Sequence, residues 1–93
     1  MSDPASRSST PKVSPDVLTA HLEGEAVLLQ LETKEYYRLN ETGAAIWKGL
    51  ERGLDVPAIV IALTEEFDVA PEAARMEVER VLVELRERGL LEG

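Results

Sequence analysis

The feature that most constrains the fold is a change in hydrophobic period at Asn40. Before it, in residues 17–39, three short runs alternate between apolar and polar residues, as strands of a sheet with one covered face do. After it, in residues 40–93, apolar residues recur at helical spacing. Because Glu35–Asn40 is a short strand that leads directly into a helix cap, it joins the two parts. We predict an α+β fold, a three-stranded antiparallel sheet followed by three helices.

The predicted strands are Val17–Leu22, Ala26–Leu31 and Tyr36–Leu39. In the first two runs the aliphatic residues share a face within each strand: Leu18, Ala20 and Leu22, then Val27, Leu29 and Leu31. In the third run we expect Leu39 to point to the core with Tyr37 beside it, which places Tyr36 and Arg38 on the opposite face.

Helix signals follow in order along the rest of the chain. Asn40 caps the first predicted helix and Gly53 ends it, while Asp55 caps the second. Pro71 opens the third and longest helix, which runs to about Arg88. Trp47, the only tryptophan, is expected in the core.

The third helix carries two apolar stripes. At ~100° per residue the core stripe spans roughly 100° of arc and consists of Ala74, Val78, Val81, Leu82 and Leu85. Met76 and Val83 form a second, thin stripe about 140–160° away from Val78. Past Gly89, Leu90 and Leu91 are expected to fold back onto the core.

Composition limits the organisation of the chain. The 93 residues suggest one domain, with residues 1–15, rich in Ser and Pro, as a disordered tail and residues 16–93 as the folded part. A net charge of -8 argues against binding to nucleic acid or to anionic membranes. The sequence has no signal peptide, no membrane-spanning run and no cysteine, and we predict a cytoplasmic location.

The chain has no visible catalytic or metal-binding constellation. With His21 as the single histidine and no cysteine, the usual zinc sites cannot form, and no glycine-rich loop follows a strand. We therefore predict a protein that is not an enzyme and holds no metal and no cofactor.

The third strand is the last of its sheet, so one of its edges is expected to be unpaired. Glu35 and Arg38 give such an edge some protection against unwanted pairing. From the residues alone, a short and harmless edge is as consistent with the pattern as an edge that accepts a partner peptide as an extra strand.

Taken in order, five segments resemble the PqqD-like family, the recognition domains of pathways for ribosomally made, post-translationally modified peptides (RiPP recognition elements). They are Val27–Leu31, the polar turn Glu32–Glu35, Tyr36–Asn40, Thr42–Ala45 and Trp47. The later part is similar as well, from Leu63 through Phe67-Asp68-Val69 to Leu85 and Gly89-Leu90-Leu91, so that the resemblance covers about residues 17–92.

The resemblance implies a winged helix-turn-helix-like domain that binds the leader of a precursor peptide. In this family the leader docks as an antiparallel strand on the third strand, beside the third helix. Carried onto this chain, the strand-side residues are Tyr36, Tyr37, Arg38 and Leu39, and the helix-side residues are Arg75, Met76, Glu79, Arg80 and Val83.

As a short separate domain, this chain looks most like the recognition proteins of split lasso-peptide systems. The partners of those proteins are the precursor peptide, a leader-cleaving protease and a cyclase. A peptide chaperone for a radical SAM enzyme in pyrroloquinoline quinone biosynthesis is the alternative. Two other classes remain open, a winged-helix DNA-binding regulator and a dimerisation domain. The first is disfavoured because Val56–Phe67 contains no Lys or Arg and ends with Glu65 and Glu66.

Overall fold

The computed structural model describes residues 10–92, which form two small sheets and three helices. The strands are β1 (Lys12–Val13), β2 (Val17–Leu22), β3 (Glu25–Gln30), β4 (Glu35–Leu39) and β5 (Leu91–Glu92). The helices are α1 (Glu41–Glu51), α2 (Val56–Glu66) and α3 (Pro71–Glu87). The prediction of a three-stranded antiparallel sheet followed by three helices is confirmed, and the predicted bounds are off by about one residue.

The main sheet has the order β2-β3-β4, with both pairs antiparallel. Leu28 of β3 is its central core residue and lies opposite Tyr37 of β4. Tyr37 and Leu39 pack against the core, as the alternation predicts. Because β4 is the last strand in this order, no strand of residues 10–92 pairs with its outer edge.

The covered face of the sheet is not the one that carries the aliphatic alternation. Leu18, which is 57% exposed, lies opposite Leu29, and Leu29 lies opposite the exposed Tyr36. The covered face instead carries Thr19 and Gln30, two polar residues whose side chains have hydrogen-bond partners there. The aliphatic side chains of β2 therefore form an apolar surface on the outer face of the sheet.

The helices close over the covered face and form a single core. Trp47 is fully buried, as predicted, and its Nε1 donates a hydrogen bond to Thr19 Oγ1 at 2.9 Å. The predicted core stripe of α3 is buried throughout: Ala74, Val78, Val81, Leu82 and Leu85. Leu90 and Leu91 fold back and are buried too, which confirms the prediction for the chain after Gly89.

Side-chain caps fix where the first two helices begin. Asn40 Oδ1 accepts from the Gly43 N–H at 2.9 Å, and Asp55 Oδ1 accepts from the Ala58 N–H at 3.0 Å, so both predicted caps are confirmed. Gly53 follows α1 with a φ of +81°, a left-handed conformation that costs least at glycine.

Part of the predicted tail is ordered. The prediction of disorder for residues 1–15 is wrong for Lys12 and Val13, which pair antiparallel with Glu92 and Leu91. The partner strand lies nearly eighty residues away, so no local pattern in a Ser/Pro-rich segment predicts this pairing. The part of the predicted tail in residues 1–9 lies outside the described residues.

Candidate functional site

A groove of about 480 Å³ lies between β4 and α3, beside the open edge of the sheet. Its strand side consists of Tyr36, Tyr37, Arg38 and Leu39. Its helix side consists of Arg80, Val81, Glu84, Leu85 and Arg88. Asn40, Gly43 and Leu90 complete the lining. The groove thus combines an apolar floor from buried core residues with a rim of charged side chains.

Two side chains close the groove at the end of α3. The guanidinium of Arg88 lies over the ring of Tyr37, 5.0 Å from its centroid, which is within the range of a cation–π contact. The Tyr37 hydroxyl donates a hydrogen bond to Glu35 Oε1. Strand and helix are therefore linked by side chains at this end.

The hydrogen bond to Glu35 raises the pKa of Tyr37 above its usual value of about 10. A raised pKa means that the folded state favours the protonated phenol. The stabilisation from this bond is therefore fully present at neutral pH and is lost as the pH rises from about 10 through the raised pKa.

Ion pairs hold the helix-side rim. Arg80 binds Glu77 through two nitrogens, with Nη2 2.7 Å from Oε2 and Nε 3.2 Å from Oε1, and its Nη1 lies 3.4 Å from Glu84. The hydrogen bond to Glu77 raises the pKa of Arg80, which keeps it charged. Arg88 lies 3.7 Å from Glu84, the exposed ion pair expected four residues apart on a helix.

Gly43 allows the close approach of α1 to β4 at the other end of the groove. A Cβ at this position would lie 3.3 Å from both Leu39 Cβ and Asn40 Oδ1. A larger residue would push against Leu39 and narrow the groove. The close packing gives a physical reason for a glycine in the first turn of a helix, where it costs helix stability.

The groove brings together five of the nine residues predicted as a site. Tyr36, Tyr37, Arg38 and Leu39 line it from the strand, and Arg80 lines it from the helix. The other four lie on parts of α3 outside the lining: Arg75, Met76, Glu79 and Val83. Met76 is 70% exposed and Val83 is 53% exposed. Peptide binding by these residues stays a prediction.

Sequence reasoning missed most of the helical wall of the groove. The sequence predicts Val81 and Leu85 only as core residues. In the structure they lie at the margin of the core stripe and also form part of the groove wall. Glu84 and Arg88 are not among the site residues that the resemblance implies. Helical angles place these four residues within one sector of the α3 circumference, but the angles do not show that this sector faces β4.

A smaller cavity of about 240 Å³ lies where the β2–β3 hairpin faces α1 and α2. His21, at its border, is exposed, and its Nε2 lies 2.9 Å from Glu51 Oε1. Within residues 10–92 no three His, Cys, Asp or Glu side chains are grouped in a way that could hold a metal ion. In the same residues no helix is both long and apolar enough to cross a membrane.

Comparisons with known proteins identify the fold. No curated protein matches this chain. Residues 25–91 match the family model described as coenzyme PQQ synthesis protein D (PqqD). The structure of TbiB1 in complex with the TbiA(beta) leader peptide is similar, with a TM-score of 0.84 and 36% identity over 88% of this chain and 95% of that one.

A second structure, of lasso peptide synthetase B1 complexed with the leader peptide, has a TM-score of 0.81. It is 26% identical over 89% of this chain and 98% of that one. The family match spans well over half of the sequence, and both similar structures cover nearly all of the chain. This protein belongs to the PqqD family.

Proposed function

We propose that this protein is a non-catalytic adaptor that binds the leader of a precursor peptide in lasso peptide biosynthesis. The leader adds as an antiparallel strand to the outer edge of β4 and places alternate side chains in the groove. The observation that carries the proposal is the open β4 edge directly beside a groove large enough for side chains.

The similar structures support this function because both are complexes with leader peptides. The name of the second structure, lasso peptide synthetase B1, also favours the lasso pathway over pyrroloquinoline quinone biosynthesis, to which the description of the family model points. A DNA-binding role has no comparable support, since α2 carries no Lys or Arg with which to contact phosphates.

Strand addition predicts a period of two in the leader. In an antiparallel pair, every second residue of the added strand exchanges main-chain hydrogen bonds with β4. N-methylation of one leader amide at a time removes one donor without touching the protein. We expect affinity to fall about fivefold at alternate positions and to change little between them, as measured by calorimetry.

A leader with the same composition in scrambled order is the control for this experiment. Strand addition would be contradicted if the losses of affinity did not alternate along the leader, or if they recurred every three to four residues as on a helix. If neither the leader nor its N-methylated forms bind the wild-type protein, the adaptor function itself is wrong.

The second part of the proposal is delivery of the bound leader to a leader-cleaving protease and a cyclase, which raises the effective concentration of substrate at each enzyme. Delivery needs a surface that stays free when the groove is filled. The outer face of the sheet is such a surface, and it continues to the β4 edge through Leu18, Leu29 and Tyr36. A protease docked there would contact the bound leader strand as well.

Leu18→Glu tests delivery separately from leader binding. We expect unchanged leader affinity in calorimetry, because Leu18 lies on β2, away from the groove. We expect at least a tenfold slower leader cleavage when the protease is supplied in trans, since a buried unpaired charge costs several kcal/mol. Leu18→Met is the matched control. Normal cleavage with Leu18→Glu would remove this face from the proposal.

A further inference from the structure

Hydrogen bonds hold the end of the groove nearest Arg88 in place. Most of them join backbone atoms, and the one side chain that takes part belongs to a residue outside the groove lining. After α3, Gly89 adopts a φ of +74°, its N–H donates to Arg86 O at 3.1 Å, and the Leu90 N–H donates to Leu85 O at 2.9 Å. This pair of bonds is a Schellman motif, which reverses the chain at a helix end. It places Leu90, fully buried, in the floor of the groove.

Gln30 holds the first carbonyl of this reversed segment. Its side chain is only 4% exposed, and it is the only buried polar side chain in the described part of the chain. Nε2 donates to Gly89 O at 2.9 Å, while Oε1 accepts from the Glu32 N–H at 2.7 Å. The amide therefore ties the β3 strand and the turn after it to the exit of α3.

Ser14 holds the next carbonyl. Its backbone N–H donates to Leu90 O at 3.0 Å, and the short β1–β5 pairing continues from there. Two consecutive carbonyls, those of Gly89 and Leu90, are thus bound by two segments that are distant in the sequence. Neither Gln30 nor Ser14 lines the groove.

We propose that Gln30 and Ser14 are positioning residues for peptide binding, an inference that rests on the proposed function. A two-residue strand pair is too short to be stable alone, so the β1–β5 ribbon opens more readily than the main core. Opening frees Leu90 and Arg88 from the groove end. Because only the closed form presents a complete groove, the leader binds in proportion to the closed fraction.

Point variants of the full chain remove these bonds one at a time. Gln30→Glu keeps the acceptor for the Glu32 N–H but removes the donor to Gly89 O. Ser14→Pro removes the N–H that Leu90 O accepts, and the extended conformation of Val13 suits a following proline. Ser14→Ala is the matched control, because it keeps this N–H and loses only the Oγ contact with the Asp16 N–H.

The leader peptide that wild-type protein binds is titrated into each variant, well below its melting temperature. We expect Gln30→Glu and Ser14→Pro to weaken binding about five- to tenfold, and Ser14→Ala to stay within about twofold of wild type. The Leu90 amide should exchange with solvent more slowly when the leader is bound to wild type, and this protection should be reduced in Ser14→Pro.

Double-mutant cycles separate positioning from general loss of stability. If Ser14 acts through the Arg88 end, the effects of Ser14→Pro and Arg88→Ala on leader affinity should be non-additive. The effects of Ser14→Pro and Arg80→Ala should add, because Arg80 lies two helical turns away from Arg88. The inference is overturned if Gln30→Glu and Ser14→Pro both bind the leader with wild-type affinity. It is also overturned if the effect of Ser14→Pro on affinity adds to that of Arg88→Ala as well as to that of Arg80→Ala. Either result leaves the adaptor function intact. If wild type binds no leader, the adaptor function fails and this inference falls with it.

Discussion

Thr19 shows how one polar side chain can specify the covered face of the sheet. It lies on β2 with its hydroxyl 2.9 Å from the indole nitrogen of Trp47, which is otherwise surrounded by apolar core. A buried indole N–H without an acceptor is costly, so Thr19 satisfies a group that an aliphatic residue could not. The same reasoning applies to Gln30, whose amide uses both its donor and its acceptor.

Thr19→Val should therefore destabilise the protein although it preserves shape and strand propensity. We expect the free energy of unfolding to fall by about 1–3 kcal/mol, the cost of an unpaired buried donor. Urea denaturation followed by Trp47 fluorescence measures this change. Thr19→Ser keeps the hydroxyl and should lower the free energy of unfolding by clearly less than Thr19→Val does. Equal losses in the two variants would mean that the methyl group, not the hydroxyl, matters.

At the scale of elements, the order and type of strands and helices could be predicted from the sequence, whereas the faces and partners of two elements could not. Caps and period changes are local signals, and Asn40 and Asp55 act as caps in the structure. Which face of β2 is covered depends on the distant Trp47. The β1–β5 pairing depends equally on residues that are far apart in sequence. Likewise the groove wall on α3 depends on where β4 lies, which helical angles alone do not give.

The cap of α2 offers a test of stability at a distance from the groove. Asp55→Ala leaves the Ala58 N–H without its side-chain acceptor, and we expect the free energy of unfolding to fall by about 1 kcal/mol. Asp55→Asn retains an acceptor at the same place and should lower the free energy of unfolding by only a few tenths of a kcal/mol. Chemical denaturation measures both. Leader affinity should be the same in the two variants, since Asp55 does not line the groove. A change in affinity would indicate that α2 takes part in binding.

For the whole molecule, the excess of negative charge opposes compaction. The chain carries 18 Asp and Glu against 10 Lys and Arg, and the described residues have a radius of gyration of only 13.2 Å. Raising the monovalent salt concentration from about 0.01 M to about 0.1 M shortens the Debye length from about 30 Å to about 10 Å. Repulsion across the molecule is then screened, while the short ion pairs of α3 are affected less.

We therefore expect the urea midpoint of unfolding to rise over this range of salt. The same rise with sodium chloride and with potassium chloride would identify screening rather than the binding of one ion. A midpoint that falls with salt would show that local ion pairs, such as Arg80 with Glu77, outweigh the repulsion of the whole chain.

The antiparallel ladder between Lys12 and Glu92 has a practical consequence for tethering experiments. Lys12 and Glu92, near the two ends of the described residues, lie side by side at one corner of the fold, close to Leu90. A fluorophore attached at position 12 or at position 92 would therefore start from the same place relative to the groove, and exchanging the two positions should change the measured distances little. The same proximity makes residues 12–92 suited to circular permutation, with a short loop that joins position 92 to position 12.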